Sequence, residues 1–393
     1  GEVGNDQIGG DRFLYLPSSY GAASDSGVNK YNFGLASNPY TSLMIVENKI
    51  GNPDLTWEKA KKMNVGVDIN LFNNCLTASF DIFKEKRNNI LANRSTSPMI
   101  IGANLPAYNF GEMENRGWEM DLNFRHHIQD FHYWARFNYS FARNEIIYMD
   151  EVQKRYDYQM TTGRRKNQFF GLIFDGYYNS WEEINALDRP KSSWSGNQLQ
   201  PGDVKYVDVN QDGVIDDYDM VPIGYTPVPE IIYGFSFGAQ YKGFDFSILF
   251  QGADNVSIKY FGRSMWPFAK GEESAKSLIK ERWTQERYEA GEKITFPRLS
   301  LNPNGETDHN YRPSTLWIRD ASYLRLKNLE VGYTFTGGFV KRLNLNSVRL
   351  YFNGSNLFTW TDVVDLDPEA PSRSGNVEIN TYPLQKVYNI GLN

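Results

Sequence analysis

Ala321-Ser322-Tyr323-Leu324-Arg325-Leu326-Lys327-Asn328-Leu329-Glu330-Val331-Gly332-Tyr333-Thr334-Phe335 is the stretch on which the reading of this chain turns. Counting by twos from Tyr323 places Tyr323, Arg325, Lys327, Leu329, Val331, Tyr333 and Phe335 on one face, with Asn328, Glu330, Gly332 and Thr334 on the other. A β-strand sends successive side chains to opposite sides, so the second half of this run has one oily face and one wet face. Two surroundings satisfy that demand. The oily face meets either a second sheet in a soluble sandwich, or lipid around a barrel whose lumen holds water.

The pattern recurs. Met63, Val65, Val67, Ile69 and Leu71 are interleaved with Asn64, Gly66, Asp68 and Asn70; Trp118, Met120, Leu122 and Phe124 alternate with Glu119, Asp121, Asn123 and Arg125. From Phe131 to Phe141 every second residue is apolar, and Tyr233 to Tyr241 and Phe244 to Phe250 repeat the motif. A membrane-crossing strand needs roughly 9 to 11 residues, against roughly 5 to 6 for an average soluble strand. These runs have the longer length and often end in aromatics, as a barrel wall does where it crosses the headgroup layers.

Aromatics make up 15% of the 393 residues, while mean hydropathy is −0.55. No run approaches the roughly 20 apolar residues of a membrane-spanning helix, so any contact with lipid is through strands. The single cysteine, Cys75, excludes an internal disulfide framework and reads as a small residue in the turn Asn73-Asn74-Cys75. With 41 basic and 47 acidic residues the net charge is −6, which argues against a nucleic-acid surface. Gly1-Glu2-Val3-Gly4-Asn5 has neither the charged region nor the apolar core of a secretory leader. The sequence is expected to be a piece of something longer.

Connection lengths give orientation. The joins at Asn73-Asn74-Cys75, Ile128-Gln129-Asp130 and Lys242-Gly243 are two or three residues, in the hairpin range. Between them run long connections, about residues 87–117, 146–230 and 254–317. Short turns at one end and long loops at the other is the outer-membrane arrangement, with the short turns in the periplasm. Parity closes if Ser347 to Leu357 runs outward, Ala321 to Phe335 runs inward, and the loops over 150–230 and 255–317 add zero or an even number of crossings.

Several stretches resemble the C-terminal part of SusC/RagA-type TonB-dependent outer-membrane transporters. They are Asn52-Pro53-Asp54-Leu55-Thr56-Trp57-Glu58 with Asn64-Val65-Gly66-Val67-Asp68, then Asp208-Val209-Asn210-Gln211-Asp212-Gly213-Val214-Ile215-Asp216, then Ser322-Tyr323-Leu324-Arg325-Leu326-Lys327-Asn328-Leu329. Asn356-Leu357-Phe358-Thr359-Trp360-Thr361, Asp367-Pro368-Glu369 and Tyr382-Pro383-Leu384 follow in the same order as in that family. The resemblance implies an all-β fold: residues 1–393 as the C-terminal portion of a transmembrane antiparallel barrel of 22 strands with long extracellular loops. It also implies a Gram-negative outer membrane, energisation by TonB, a plug and remaining barrel outside this sequence, and a SusD-like surface lipoprotein as lid. Oligosaccharides or peptides are the implied cargo, with glycan import the leading expectation. The competing class is a secreted or surface-exposed module stiffened by calcium.

The clearest chemical motif is the loop 208–219. Asp208, Asn210, Asp212, Asp216 and Asp219 stand at positions 1, 3, 5, 9 and 12, with the Val214 carbonyl at 7 and Gly213 at the sharp turn. That spacing suits Ca²⁺, a hard cation wanting six to eight oxygens. Asp219 is shorter than the usual glutamate and no amphipathic helix precedes the loop, so an acidic turn without an ion is the alternative. A structural Ca²⁺ within an extracellular loop is the expectation.

Other candidates carry less. His126, His127 and His132 flank one turn, but adjacent strand residues face opposite ways, so His126 and His127 do not easily share a metal. Residues about 271–291 read as a helix in an outer loop, with Leu278, Ile279, Trp283 and Tyr288 as an apolar stripe for the barrel rim or the lid. Trp181, Trp194, Trp266, Trp317 and Trp360 offer faces for sugar rings, or else pack within loops. No nucleophile elbow, zinc-protease helix or phosphate loop is present, so no catalytic residues are assigned and no enzyme activity is expected.

Overall fold

The computed structural model describes residues 19–22, 30–35, 40–43, 45–96, 105–194, 198–260, 266–268, 277–300, 308–369, 376–377 and 384–393. Its main feature is a nine-stranded antiparallel sheet in which each strand lies beside its neighbour in sequence. The strands are β1 (Lys59–Leu71), β2 (Leu76–Ala92), β3 (Tyr108–Ile128), β4 (Phe131–Tyr148), β5 (Ile231–Tyr241), β6 (Phe244–Asp254), β7 (Tyr323–Phe335), β8 (Val348–Thr361) and β9 (Val387–Leu392). The sheet is an open wall, with β1 and β9 as its outer strands. Two small ladders, Ser19–Ala22 with Ile45–Lys49 and Lys30–Phe33 with Tyr40–Leu43, precede it.

Register aligns the alternation of separate strands into continuous rungs. Ile69, Ala78, Leu122, Phe137, Phe235, Phe250, Leu326 and Phe358 stand opposite one another from β1 to β8. A lower rung runs Phe131, Tyr241, Phe244, Tyr333, Leu350 and Leu392. Among the described residues nothing covers this face: Val65 is 69% exposed, Phe244 60% and Phe358 58%. Water would not tolerate so continuous an apolar surface, whereas lipid requires it. From Phe131 to Phe141 there are ten steps of about 3.4 Å, which at a tilt of about 40° rise about 26 Å, the height of a barrel's apolar band.

One feature of the deciding stretch differs from the reading by twos. β7 carries a bulge at Lys327: Leu326 opposes Phe250 while Asn328 opposes Leu249. One extra residue reverses the parity of everything before it. Leu324 and Leu326 therefore share the lipid face with Leu329, Val331, Tyr333 and Phe335, while Tyr323 and Arg325 point inward.

The short connections, 72–75, 129–130, 242–243 and 336–347, all lie at one end of the wall. At the Lys242-Gly243 turn both residues have positive φ, 44° and 90°, and a Cβ on Gly243 would lie 2.8 Å from the Thr334 carbonyl oxygen. Only glycine fits that approach. Each of the long connections 149–230 and 255–322 leaves and re-enters at the other end, and among the described residues neither adds a strand to the nine-stranded wall, in keeping with the parity argument. β2, β3 and β4, with 17, 21 and 18 residues, rise well beyond the apolar band at that outer end.

There the long connections pack on one another. Leu172, Val204, Tyr206, Ile258, Tyr260, Phe296, Tyr311 and Trp317, drawn from both connections, form one buried core joined by Val363. Trp317 stacks edge-on to Phe296 at 5.5 Å and donates from Nε1 to the Asn310 carbonyl. The outer domain is thus a folded body seated on the wall.

Candidate lumen-facing site and outer domain

The inward face of the wall is polar along the same rungs. Asp68, Ser79, Asp121, Asn138, Gly234, Gln251 and Arg325 form one row, and Asn70, Thr77, Asn123, Arg136, Ser236, Leu249 and Asn328 the next. Asp121, Asn123, Arg136, Asn138 and Ser236 line a concave surface there. Such a lining offers hydrogen bonds and charge to a hydrated solute and no grip to lipid. Nearer the short turns, Arg349 forms ion pairs with Asp245 and with Glu330 (2.6 Å), and Asn353 donates to Glu330 at 3.0 Å.

Arg325, 2% exposed, is the inward residue that the bulge places. Its guanidinium reaches Asp367 at 2.6 Å and Glu369 at 2.7 Å, while Lys327 and Gln251 also contact Glu369, each at 3.2 Å. Asp367 further accepts the backbone N–H of Glu369 and of Leu384. Burial pushes the Asp367 carboxyl up, but the Leu384 and Glu369 amides and the Arg325 guanidinium outweigh it and hold the group below the usual carboxylate range. Three separately noticed motifs, around Arg325, Asp367 and Leu384, are therefore one tether between wall and loop; Tyr382 and Pro383 lie outside the described residues. A second tether holds Glu230 between Arg143 (2.8 Å) and Arg165, with Asn255 donating at 3.2 Å. The Asn52 motif acts similarly: the buried Asn52 donates to the Ala107 carbonyl at 2.9 Å, and Thr56 N–H donates to Asn109.

The loop 208–219 lies in the outer domain, its side-chain oxygens accepting from its own backbone. Asp208 accepts the Gly213 N–H, Asn210 that of Asp212, Asp212 that of Val214 and Asp216 that of Tyr218. Asp219 is fully buried and accepts N–H groups from Val209, Asn210 and Asp216. Burial raises its carboxyl above the ordinary value despite those amides, and Asp208 nearby adds to the effect. Asp208 Oδ1 is buried without a hydrogen-bond partner. Among the described residues no three His, Cys, Asp or Glu side chains converge on one point as metal ligands do.

The remaining candidates sort differently. Within 271–291 the described residues form a 3-10 turn, Ser277–Glu281, and a short helix, Gln285–Glu289, in place of one helix. Trp283 falls between them and is buried in the outer core with Ile279, whereas Tyr288 is exposed, so the expected stripe is divided. Residues 271–276 lie outside the described residues. Trp194 packs under Arg312 at 4.1 Å, and Trp194 and Trp266 lie against the outer core. Trp360 stands opposite Leu324 on the lipid face, in the aromatic border, which removes it from the ligand candidates. Trp181 remains exposed in the outer domain. His127 and His132 face each other across the hairpin, with ring centroids 5.5 Å apart, while the Tyr133 hydroxyl and His126 Nδ1 are 3.4 Å apart.

His309 was not singled out by its sequence surroundings. It is held between the Ser192 hydroxyl at 3.0 Å and the Val204 carbonyl at 2.8 Å, and burial depresses its pKa below 6.5. A depressed folded-state pKa gives stability that is present above the unfolded value and lost as pH falls through the folded one. Acidification from pH 7 towards 5 is expected to loosen the outer domain, and His309→Gln to remove most of that pH dependence. Hydrogen exchange of residues 198–206 in full-length protein at both pH values measures it; equal slopes in the two proteins would refute it.

An outward oily face, an inward polar face, short turns gathered at one end and a folded body at the other define a β-barrel of the outer-membrane type. The chain belongs to the TonB-dependent receptor-like β-barrel family, whose model matches residues 16–357. It is 26% identical to the TonB-dependent receptor SusC of Bacteroides thetaiotaomicron over 398 residues, covering 100% of this chain and 36% of SusC. A TonB-dependent receptor of Formosa agariphila is 27% identical over 409 residues, 97% of this chain and 39% of that protein. The fold matches the RagAB peptide importer in its open-open state with a TM-score of 0.65 at 23% identity, covering 93% of this chain and 37% of that one. The protein is an outer-membrane β-barrel protein, and the sequence spans well under half the length of these relatives.

Proposed function

We propose that this chain is the C-terminal wall and outer domain of a TonB-dependent importer that takes up oligosaccharides together with a SusD-like lipoprotein. The observation that carries the reading is the two-faced wall crowned by a packed outer domain: lipid outside, a polar lining inside, and a preformed surface over the opening. A plug and TonB contact would come from the rest of the protein. Peptides are the alternative cargo. A surface module of another class has no use for rungs such as Phe137–Phe235–Phe250, which only lipid can cover. Growth of a deletion strain on single oligosaccharides and on defined peptides, with and without TonB, tests the reading. Loss of growth on one glycan class in both mutants is expected; loss on peptides alone would move the cargo, and no TonB dependence would overturn import.

We also propose that the 208–219 loop takes Ca²⁺, supported by the spacing of its oxygens and by the orphaned Asp208 Oδ1. Asp208, Asn210, Asp212, the Val214 carbonyl, Asp216 and Asp219 are the donors; Asp219 would first give up part of its hold on backbone amides. Ca²⁺ at a hundred times its dissociation constant is expected to stabilise the outer domain by about 2.7 kcal/mol, and Asp208→Asn to abolish the gain. A melting temperature indifferent to Ca²⁺ and chelator would leave the loop as a turn closed by its own hydrogen bonds.

A further inference from the structure

β3 and β4 close on each other at the short-turn end, and the first inward rung above their turn carries nitrogen donors. His127 and His132 stand directly opposite one another there, on the face that also carries Asn123 and Arg136, and the rung continues with Gln240 on β5. Directly opposed residues of an antiparallel pair hold their Cβ atoms about 4.5–5.5 Å apart. The two imidazole rings have centroids 5.5 Å apart and planes 24° from parallel. His126 belongs to the other face, where its Nδ1 lies 3.4 Å from the Tyr133 hydroxyl. Among the described residues none of the His127, His132 and Gln240 side chains has a hydrogen-bond partner.

Imidazole nitrogen suits Cu²⁺, Ni²⁺ and Zn²⁺, whereas Ca²⁺ and Mg²⁺ want oxygen. Two such nitrogens bonded to one tetrahedral ion at about 2.0–2.1 Å stand about 3.3 Å apart. Rings 5.5 Å between centres reach that separation by turning their nitrogens toward each other. Both ligands flank the two-residue turn Gln129-Asp130, so the sheet has already fixed their spacing and an ion that bridges them costs little chain entropy. Arg125, opposite Trp134 on the next inward rung, repels a cation held by charge alone, which favours ions that bond to imidazole. Asp245, next along the rung after Gln240, is engaged by Arg349, so the nearest free oxygen donor is the Gln240 amide.

We propose that His127 and His132 form a transition-metal site on the inner wall at the short-turn end, taking a divalent ion of the Cu²⁺, Ni²⁺ or Zn²⁺ class. Two imidazoles leave the ion's other positions to water, and the Gln240 amide is placed to hold one of those waters. The ion clips β3 to β4 beside their turn, and its exchangeable positions face the lumen. The ligands are five residues apart in sequence and meet only through the register of the hairpin.

The test uses the full-length protein in detergent, free of any histidine tag, titrated with Cu²⁺, Ni²⁺ and Zn²⁺ by calorimetry and with Cu²⁺ by electron paramagnetic resonance. Wild type is expected to bind one Cu²⁺ per chain at this site, ahead of Ni²⁺ and Zn²⁺, with splitting from two imidazole nitrogens. His127→Gln and His132→Gln are each expected to weaken Cu²⁺ on the order of 100-fold, and His126→Gln to bind as wild type does. The resonance of the wild-type protein needs no variant, so it decides even where a substitution impairs folding. Splitting from a single nitrogen, Cu²⁺ affinity unchanged in both His127→Gln and His132→Gln, or an equal loss in His126→Gln would each overturn the proposal.

Discussion

Arg325→Met is expected to cost about 3–5 kcal/mol of the attachment between wall and outer loop, because it leaves Asp367 buried without its cation and Glu369 with Lys327 alone. Arg325 supplies both carboxylates at once, and its replacement has the length to fill space but no charge to offer. The loss has a pH signature. The folded-state pKa of Asp367 is depressed below 3.8, so the tether's contribution is present above that value and is lost as pH falls through the lower one. Wild type and variant should differ fully at pH 7 and converge in strong acid. Hydrogen exchange over residues 362–369 of the full-length protein reads the release. A variant protected like wild type at pH 7 would show that the tether holds nothing.

Trp317→Ala is expected to destabilise the outer domain by about 3–5 kcal/mol while leaving the wall intact. Trp317 is 3% exposed, meets Phe296 and Tyr311, and satisfies the Asn310 carbonyl through its indole N–H. Truncation removes both the contacts and that donor. Calorimetry should show the outer transition falling while the barrel transition stays in place. A single transition shifting as a whole would mean that domain and wall unfold as one unit.

How much the sequence disclosed follows from the range of the interactions involved. The strand pattern is local, so Phe131 to Phe141 or Tyr233 to Tyr241 could be read directly, and register then had only to align what was already two-faced. The bulge at Lys327 was hidden, because an extra residue leaves no mark on composition yet turns Arg325 from the lipid face to the inner one. A lone arginine within the apolar run Leu324–Leu326 was the available signal; it needed Asp367 and Glu369, more than forty residues on, to be interpretable. The outer domain was illegible for the same reason. Its core joins residues about a hundred apart, as where Val204 N–H meets Asn310, and periodicity cannot see such pairs. The helix expected over 271–291 shows the converse error. Ile279 and Trp283 are apolar for the outer core, not for one helical stripe.

The central claim is that one face of this wall meets lipid and the other water. It is tested most directly by spin labels placed singly along β5, from Ile231 to Tyr241, in a Cys75→Ser background of the full-length protein in liposomes. Collision with oxygen should be high at 233, 235, 237 and 239, and collision with a water-soluble nickel chelate high at 234, 236, 238 and 240, with a period of two. Chelate access at every position, or none of the alternation, would contradict the account.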